Sequence, residues 1–306
     1  MHGKLLHEKG FRGQGMTIAV IDGGFLDVDS CPAFHHLRER GKIIATRDLW
    51  SPDTHSFYRM PADHGAMVLS CMGSFLPGKI VGTAPLADYI LIRSEVGYFE
   101  EPVEEDLWIA AAEYADSLGA DVLNSSLGYT TYDKPFPPHT FADLDGKTAY
   151  ISRGADIAAT KGMLVINSAG NSGNKKWYHI GVPADAENVF SVAAVDAEGI
   201  ISDFSSRGSS YDCRLKPNIA AMGVKTACMV GNEMVYPNGT SFSSPILAGM
   251  TACLWQAFPN ATPEMIKEAV MKTASMHNNP NVEYGYGIPN FEHAYQYLSN
   301  TLKTQK

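Results

Sequence analysis

Six short stretches of the chain are apolar without polar alternation: Thr17–Ile21, Ile43–Thr46, Tyr89–Ile92, Val122–Asn124, Leu164–Asn167 and Val189–Val195. Strands read this way when helices cover both sides of a parallel sheet. Between them the apolar positions change to helical spacing. Glu104–Leu118 stops at Gly119 and Thr148–Lys161 at Gly162, and glycine suits the left-handed turn that ends a helix. Thr262-Pro263-Glu264 supplies a cap, a first-turn proline and an early acid, and so opens a helix over Pro263–Thr273. Asn290 caps a last helix, Phe291–Leu302. Strands alternating with helices predict an α/β fold: a doubly wound, mostly parallel sheet with helices on both faces. No repeat, low-complexity tract or linker interrupts residues 1–306, so the pattern predicts one domain. The longest irregular stretch is Tyr129–Lys147, and a loop of that length in a compact fold is usually functional or mobile.

Composition narrows the function classes. The chain has 306 residues, 45% hydrophobic and 19% charged, with a formal net charge of −9. That excess of acid argues against nucleic acid or an anionic membrane as partner. No apolar run reaches the roughly 18 residues that span a bilayer. The first residues, MHGKLLHEKG, lack the apolar core of a secretory signal. Five cysteines, Cys31, Cys71, Cys213, Cys228 and Cys253, form no C-x-x-C pair and no metal-ligand spacing. They read as small buried hydrophobes, and the odd count leaves at least one unpaired.

In doubly wound sheets the chemistry gathers at the carboxyl ends of the strands. Asp22-Gly23-Gly24 follows the first strand, Ser125-Ser126-Leu127-Gly128 the fourth, and Ser168-Ala169-Gly170-Asn171 the fifth. The stretch NGTSFSSPILAGM, residues 238–250, sets Ser241 among small residues where the pattern turns helical. A helix start offers free N–H groups to a developing oxyanion, and small neighbours let a substrate backbone come close. Pro245 is tolerable if it falls in the first turn, which has no N–H partners to lose. A serine becomes a nucleophile only with a base beside it. His64, in Asp63-His64-Gly65 before the helical Ala66–Gly73, is the candidate base, and Asp22 is a candidate to orient it. Singly, each residue also has a structural reading: a helix cap, a packed histidine, a turn aspartate.

The segments TIAVIDGGF, DHGAMVLSCMG, LNSSLGY, NSAGNSG, FSSRG, KPNIAAMGV and GTSFSSP, in that order, resemble the motifs of the subtilisin-like serine peptidases, the subtilases. The resemblance covers about Leu6 to Leu302, and the order Asp, His, Ser is the subtilase order. It implies a serine endopeptidase working through an acyl-enzyme, with polypeptide substrates and no required cofactor. Asp22, His64 and Ser241 become the catalytic triad. Asn171, with the backbone N–H of Ser241, becomes the oxyanion hole. Ser126, Leu127 and Gly128 with Ser168, Ala169 and Gly170 become the walls of the pocket for the residue before the cleaved bond, and Gly181 its base. These positions are small or apolar, so the resemblance implies a large apolar residue there. Glu100, Glu101, Glu104 and Glu105 fall further along the cleft and imply a preference for basic residues upstream.

The chain also departs from the family pattern. Gly23 stands where Ser or Thr is usual, and Ala66-Met67 where Thr-His is usual, which reads as packing. Phe75–Lys79 lacks the asparagine-bearing calcium loop of many secreted relatives, so calcium is possible but not supported by that loop. Asp143 and Asp145 are the remaining cation candidates and otherwise read as solvated loop acids. Without a secretory signal, either the protein stays inside the cell or the chain is a mature catalytic domain; the resemblance implies a secreted or extracytoplasmic place, with an intracellular one as the alternative. A catalytically silent subtilase fold used for binding is the alternative, although no triad residue is missing. A nucleotide-binding reading of GFRGQG fails, because that segment precedes the first strand instead of following it.

Overall fold

The computed structural model describes residues 1–51 and 53–304. In chain order its elements are α1 (Lys4–Glu8), β1 (Thr17–Asp22), α2 (His35–Glu39), β2 (Ile43–Asp48), α3 (His64–Gly73), β3 (Phe75–Leu76), β4 (Ile80–Val81), β5 (Asp88–Arg93), α4 (Val103–Ser117), β6 (Val122–Ser125), α5 (Tyr150–Thr160), β7 (Leu164–Ser168), β8 (Phe190–Val195), β9 (Ile219–Met222), β10 (Cys228–Val230), β11 (Glu233–Val235), α6 (Thr240–Ala257), α7 (Pro263–Lys272) and α8 (Phe291–Thr304).

Seven of the strands form one parallel sheet in the order β2-β5-β1-β6-β7-β8-β9. The pleat sorts successive side chains to opposite faces. Ile18 and Val20 of β1, Tyr89 and Leu91 of β5 and Val122 of β6 join one core, with residues of α3 and α6. Ala19 and Ile21, Ile90 and Ile92, and Leu123 join the other, with residues of α4 and α5. Both faces are therefore covered, as the unbroken apolar runs predict. Two strands differ from expectation. β2 lies at the sheet edge and is only partly buried, with Ile44 47% exposed. β9, IAAM, closes the opposite edge and was not among the six predicted strands.

The predicted helix ends hold to within two residues. Gly119 and Gly162 take the left-handed conformation, with φ of 75° and 102°. Thr262 accepts a hydrogen bond from the Met265 N–H, and Asn290 from that of His293. The predicted start at Thr148 moves to Tyr150, because Asp145 holds the N–H groups of Lys147 and Thr148 in a turn.

α6 crosses beneath β6, β7, β8 and β9. It is buried nearly all round, which accounts for its small residues: Ser244 reaches Asn124 of β6, and Gly249 lets the segment Thr83–Ala84 pack close. β1 lies between β5 and β6, where the chain reverses the direction in which it adds strands. A crevice forms at such a switch point, outside the carboxyl ends of the strands.

The segment Phe75–Lys79 belongs to a tight hairpin of β3 with β4, turned at Gly78. Asp143 accepts hydrogen bonds from the Thr140 N–H and hydroxyl, and Asp145 from Lys147 and Thr148. Both acids thus serve local turns. No helix among the described residues is long and apolar enough to cross a membrane.

Candidate active site

Asp22 is the last residue of β1 and is fully buried. It lies in register with Arg93, the last residue of β5. The Arg93 guanidinium donates to the Gly23 carbonyl (3.0 Å) and pairs with Asp48 at the end of β2 (2.9 Å). Both partners of that pair are almost completely buried. Three adjacent strand ends are thereby locked together, and the chain after Asp22 is held in place. The Gly23 N–H donates to Asp22 Oδ1 (2.8 Å).

His64 is the first residue of α3. Its Nδ1 lies 2.8 Å from Asp22 Oδ1 and 3.0 Å from Oδ2. A carboxylate in that place keeps the proton on Nδ1 and leaves Nε2 with a free lone pair. Gly65 makes the approach possible: a Cβ there would collide with the Gly24 carbonyl and come within 2.9 Å of Asp22. Burial works against the charged imidazole, but the charge and hydrogen bond of Asp22, and then Glu95 and Asp63, outweigh it and push His64 up to about 9.

Ser241 is the second residue of α6. Its backbone and side chain form a reciprocal pair with Ser126, just beyond β6. The Ser126 hydroxyl donates to the Ser241 carbonyl (2.8 Å), and the Ser241 hydroxyl donates to the Ser126 carbonyl (3.3 Å). The first bond corrects the reading of Pro245. That proline lies beyond the first turn, so its missing N–H does remove a helical bond, the one to the carbonyl four residues earlier. That carbonyl is Ser241's, and the Ser126 hydroxyl takes the vacant role. Among the described residues no hydrogen bond joins Ser241 to His64. Such bonds are often loose until substrate arrives.

Asn171 follows β7. Its Oδ1 accepts from both the N–H and the hydroxyl of Thr240, each at 3.0 Å. The Thr240 hydroxyl in turn accepts from the Gly170 N–H (3.1 Å). With its oxygen held twice, the Asn171 amide presents Nδ2 in a fixed direction. A side chain at Gly239 would come within 3.6 Å of that nitrogen, so glycine keeps the approach clear. The sequence placed Thr240 in a motif without giving it a task; holding the Asn171 amide is that task.

One cavity of about 150 Å³ joins these groups. Ser126-Leu127-Gly128, Ser168-Ala169-Gly170 and Gly181 all line it, together with Asn171, Thr240 and Ser241. Four further lining residues, Thr130, Ser172, His179 and Ser206, are polar, so the pocket is less apolar than its sequence-predicted walls.

The predicted acids fare differently. Glu104 accepts from the Val96 and Glu101 N–H groups at the start of α4, and so serves that helix. Glu105 is buried and hydrogen-bonded to Tyr132, His139 and the Ile151 N–H, fastening the loop 129–147 to α4. After Asp22, the acid with the largest effect on His64 is one the sequence alone does not single out, Glu95, two residues beyond β5. It accepts from the Tyr129 hydroxyl (3.3 Å) and faces Gly23. Burial first, and then the Asp22, Glu104 and Glu100 carboxylates, push it up to about 8. Its position after the strand beside β1 was the one available signal. Met67, from the departing Ala66-Met67 pair, packs against Cys71, Cys228 and Phe242, consistent with a packing role.

Comparison with known proteins gives the family. The family model described as the subtilase family matches residues 13–287. Serine protease AprX of Bacillus subtilis (strain 168) is 27% identical over 92% of this chain and 66% of its own length. Subtilisin E of the same strain is 26% identical over 95% of this chain and 68% of its own. The chain thus spans about two thirds of the length of these relatives. Among solved structures, the prenylagaramide maturation protease PagA superposes with a TM-score of 0.75 at 22% identity, covering 97% of this chain and 98% of that one. MycP1 from Mycobacterium smegmatis gives 0.72 at 20% identity, over 96% and 83%. A family match across most of the chain means that the chain belongs to the subtilase family of serine peptidases.

Proposed function

We propose that the chain is an active serine endopeptidase with Asp22, His64 and Ser241 as its triad and Asn171 as the side-chain donor of its oxyanion hole. The observation that carries this reading is the proximity of three prepared groups. Ser241 at a helix start and the Asn171 amide, its oxygen already engaged, line one cavity, and the His64 imidazole, oriented by a buried carboxylate, lies against Phe242, the residue after Ser241. A small rotation of the Ser241 side chain exchanges its bond to Ser126 for one to His64 Nε2. His64 takes the proton as Ser241 attacks the carbonyl, and Nδ2 of Asn171 and the Ser241 N–H receive the oxyanion. His64 then protonates the leaving amine, and water repeats the sequence on the acyl-enzyme. The substrate lies extended between Ser126-Leu127-Gly128 and the segment near Phe99–Val103, adding a strand at that edge.

The triad reading sets a pH dependence. His64 acts as base only when neutral, so activity rises as pH climbs through its pKa. With that pKa above its usual 6.5, kcat/KM should climb mainly on the alkaline side of neutrality. Glu95→Gln removes a negative neighbour that favours the imidazolium, so its rise should begin at lower pH with the plateau kept. A profile of the variant that coincides with wild type, or moves to higher pH, would show that Glu95 does not act on His64.

For specificity, the small walls and Gly181 favour Leu, Met, Phe or Tyr before the cleaved bond. Burying an unpaired Lys or Arg charge there costs several kcal/mol, whereas each buried methylene contributes about 0.8 kcal/mol. A Cβ at position 181 would lie 3.2 Å from the Tyr129 carbonyl and 3.4 Å from Thr130 Cγ2. Gly181→Asp therefore both narrows the pocket and adds charge. It should lower kcat/KM for large apolar residues by about 10- to 100-fold, roughly 1.4–2.8 kcal/mol. Digestion of a proteome-derived peptide library, read by mass spectrometry, tests this; cuts mainly after charged residues would place the pocket elsewhere.

The same reading includes a place outside the cytoplasm and folding without calcium. Melting temperature should be the same with calcium and with chelator. A drop of more than about 5 °C with chelator would reveal a site beyond Phe75–Lys79, Asp143 and Asp145.

A further inference from the structure

Two cysteines 157 residues apart meet inside the protein. Cys71, on the last turns of α3, and Cys228, the first residue of β10, hold their Sγ atoms 3.6 Å apart, and both side chains are buried. The thiols lie in one small cluster with Phe242, against which Met67, Val235 and Ile246 pack. The Phe242 ring in turn lies 5.9 Å from the imidazole of His64. α3 and β10 are also joined directly, because the Met229 N–H donates to the Ser70 hydroxyl (3.0 Å). The cluster thus connects the helix that begins at His64 with the hairpin β10–β11, whose second strand runs on into Gly239-Thr240-Ser241.

We propose that Cys71 and Cys228 are a disulfide-forming pair that, when oxidised, ties the helix bearing the base to the segment bearing the nucleophile. The sulfurs need to close from 3.6 Å to about 2.05 Å. β10 is a three-residue strand in an isolated two-stranded hairpin, and side-chain rotation with a small shift of that hairpin supplies the movement. The other three cysteines are set differently. Cys253 donates to the Thr83 carbonyl, Cys31 is buried in the main core, and Cys213 alone is exposed.

The oxidant is a small-molecule disulfide. One protein thiolate attacks it, forming a mixed disulfide and releasing one small thiol. The second protein thiolate then attacks the protein sulfur of that mixed disulfide and releases the other. Two protein thiols and one disulfide give one protein disulfide and two small thiols, the two protons passing from the protein thiols, by way of solvent, to the released small thiolates. In the folded protein neither sulfur faces solvent, so exchange is fast during folding and slow afterwards. The hydrogen bond with the Cys228 thiol, and then burial, also hold Cys71 well above the ordinary thiol range, which keeps the reduced native pair unreactive.

The test is to refold the full chain with glutathione disulfide and, in parallel, with dithiothreitol. A second oxidised sample is prepared from native protein by prolonged incubation, so that a refolding failure does not decide the matter. Free thiols are alkylated, and a digest without reduction is read by mass spectrometry. The expected result is a peptide pair joined through Cys71 and Cys228, with two of the five thiols lost. Closing so long a loop should raise the melting temperature of the oxidised form by roughly 5–15 °C. Cys228→Ser and Cys71→Ala should each melt at the same temperature in both buffers. Five alkylated cysteines in both oxidised samples, or cross-links that pair Cys213, Cys31 or Cys253 instead, would overturn the proposal.

Discussion

Replacing Ser241 with alanine is expected to lower kcat by about 10⁶-fold, the scale known for loss of the triad serine in subtilisin. The fold should survive, because the lost hydroxyl makes one bond of 3.3 Å to the Ser126 carbonyl, while the bond that supports the helix uses the Ser241 backbone. His64→Ala should cost about as much, since without the base the hydroxyl stays protonated, and the double variant should be little worse than either alone. Such non-additivity is the mark of groups that act in one step. Peptide turnover measured by active-site-normalised kinetics, with circular dichroism to check the fold, decides it. An independent, multiplying effect of the two substitutions would mean that they do not act together.

Asn171→Ala is expected to lower kcat by about 100- to 1000-fold with KM nearly unchanged, a loss of roughly 2.7–4 kcal/mol. The magnitude is that of the corresponding donor in subtilisin. The division between kcat and KM follows from where the proposed donor would act: on the oxyanion, which carries full charge only near the transition state. Thr240→Val separates positioning from donation. It keeps the Thr240 N–H but removes the hydroxyl that holds Asn171 Oδ1 and receives the Gly170 N–H. A loss of about tenfold is expected, the worth of one good hydrogen bond. In an Asn171→Ala background the same change should cost almost nothing. If Thr240→Val is equally harmful with and without Asn171, Thr240 works by some other route.

Most of the sheet was legible because strands covered on both faces cannot hide their composition. Ile18, Val20, Ile90 and Leu91 have no water-facing side, so no polar residue interrupts them. β2 looked the same in sequence, but its place at the edge leaves Ile44 exposed, and edge position is a tertiary fact. β9 was missed because IAAM is short, rich in alanine and preceded by Pro217, so local preference gives it little support. At the candidate site, Asp22, His64 and Ser241 each sit at the start or end of an element and Asn171 three residues beyond β7, places that their motifs mark in the sequence. Glu95 was not found, since a lone glutamate after a strand is ordinary. Its meaning comes from β5 lying beside β1, which sets it near Asp22. Pro245 was placed one turn too early, and the correction explains why Ser126 must carry a hydroxyl. The Cys71–Cys228 contact joins positions that no local pattern relates.

The account rests on Ser241 being an activated nucleophile, and labelling with a fluorophosphonate tests that most directly. Such a reagent phosphonylates a serine that a neighbouring base has activated and leaves ordinary hydroxyls alone. At pH above 8, intact mass and peptide mapping should show one adduct per chain, located on Ser241, formed more slowly as pH falls and absent from Ser241→Ala and His64→Ala. An unmodified wild-type protein under the same conditions, or an adduct shared among several serines, would contradict the triad and favour a silent fold used for binding.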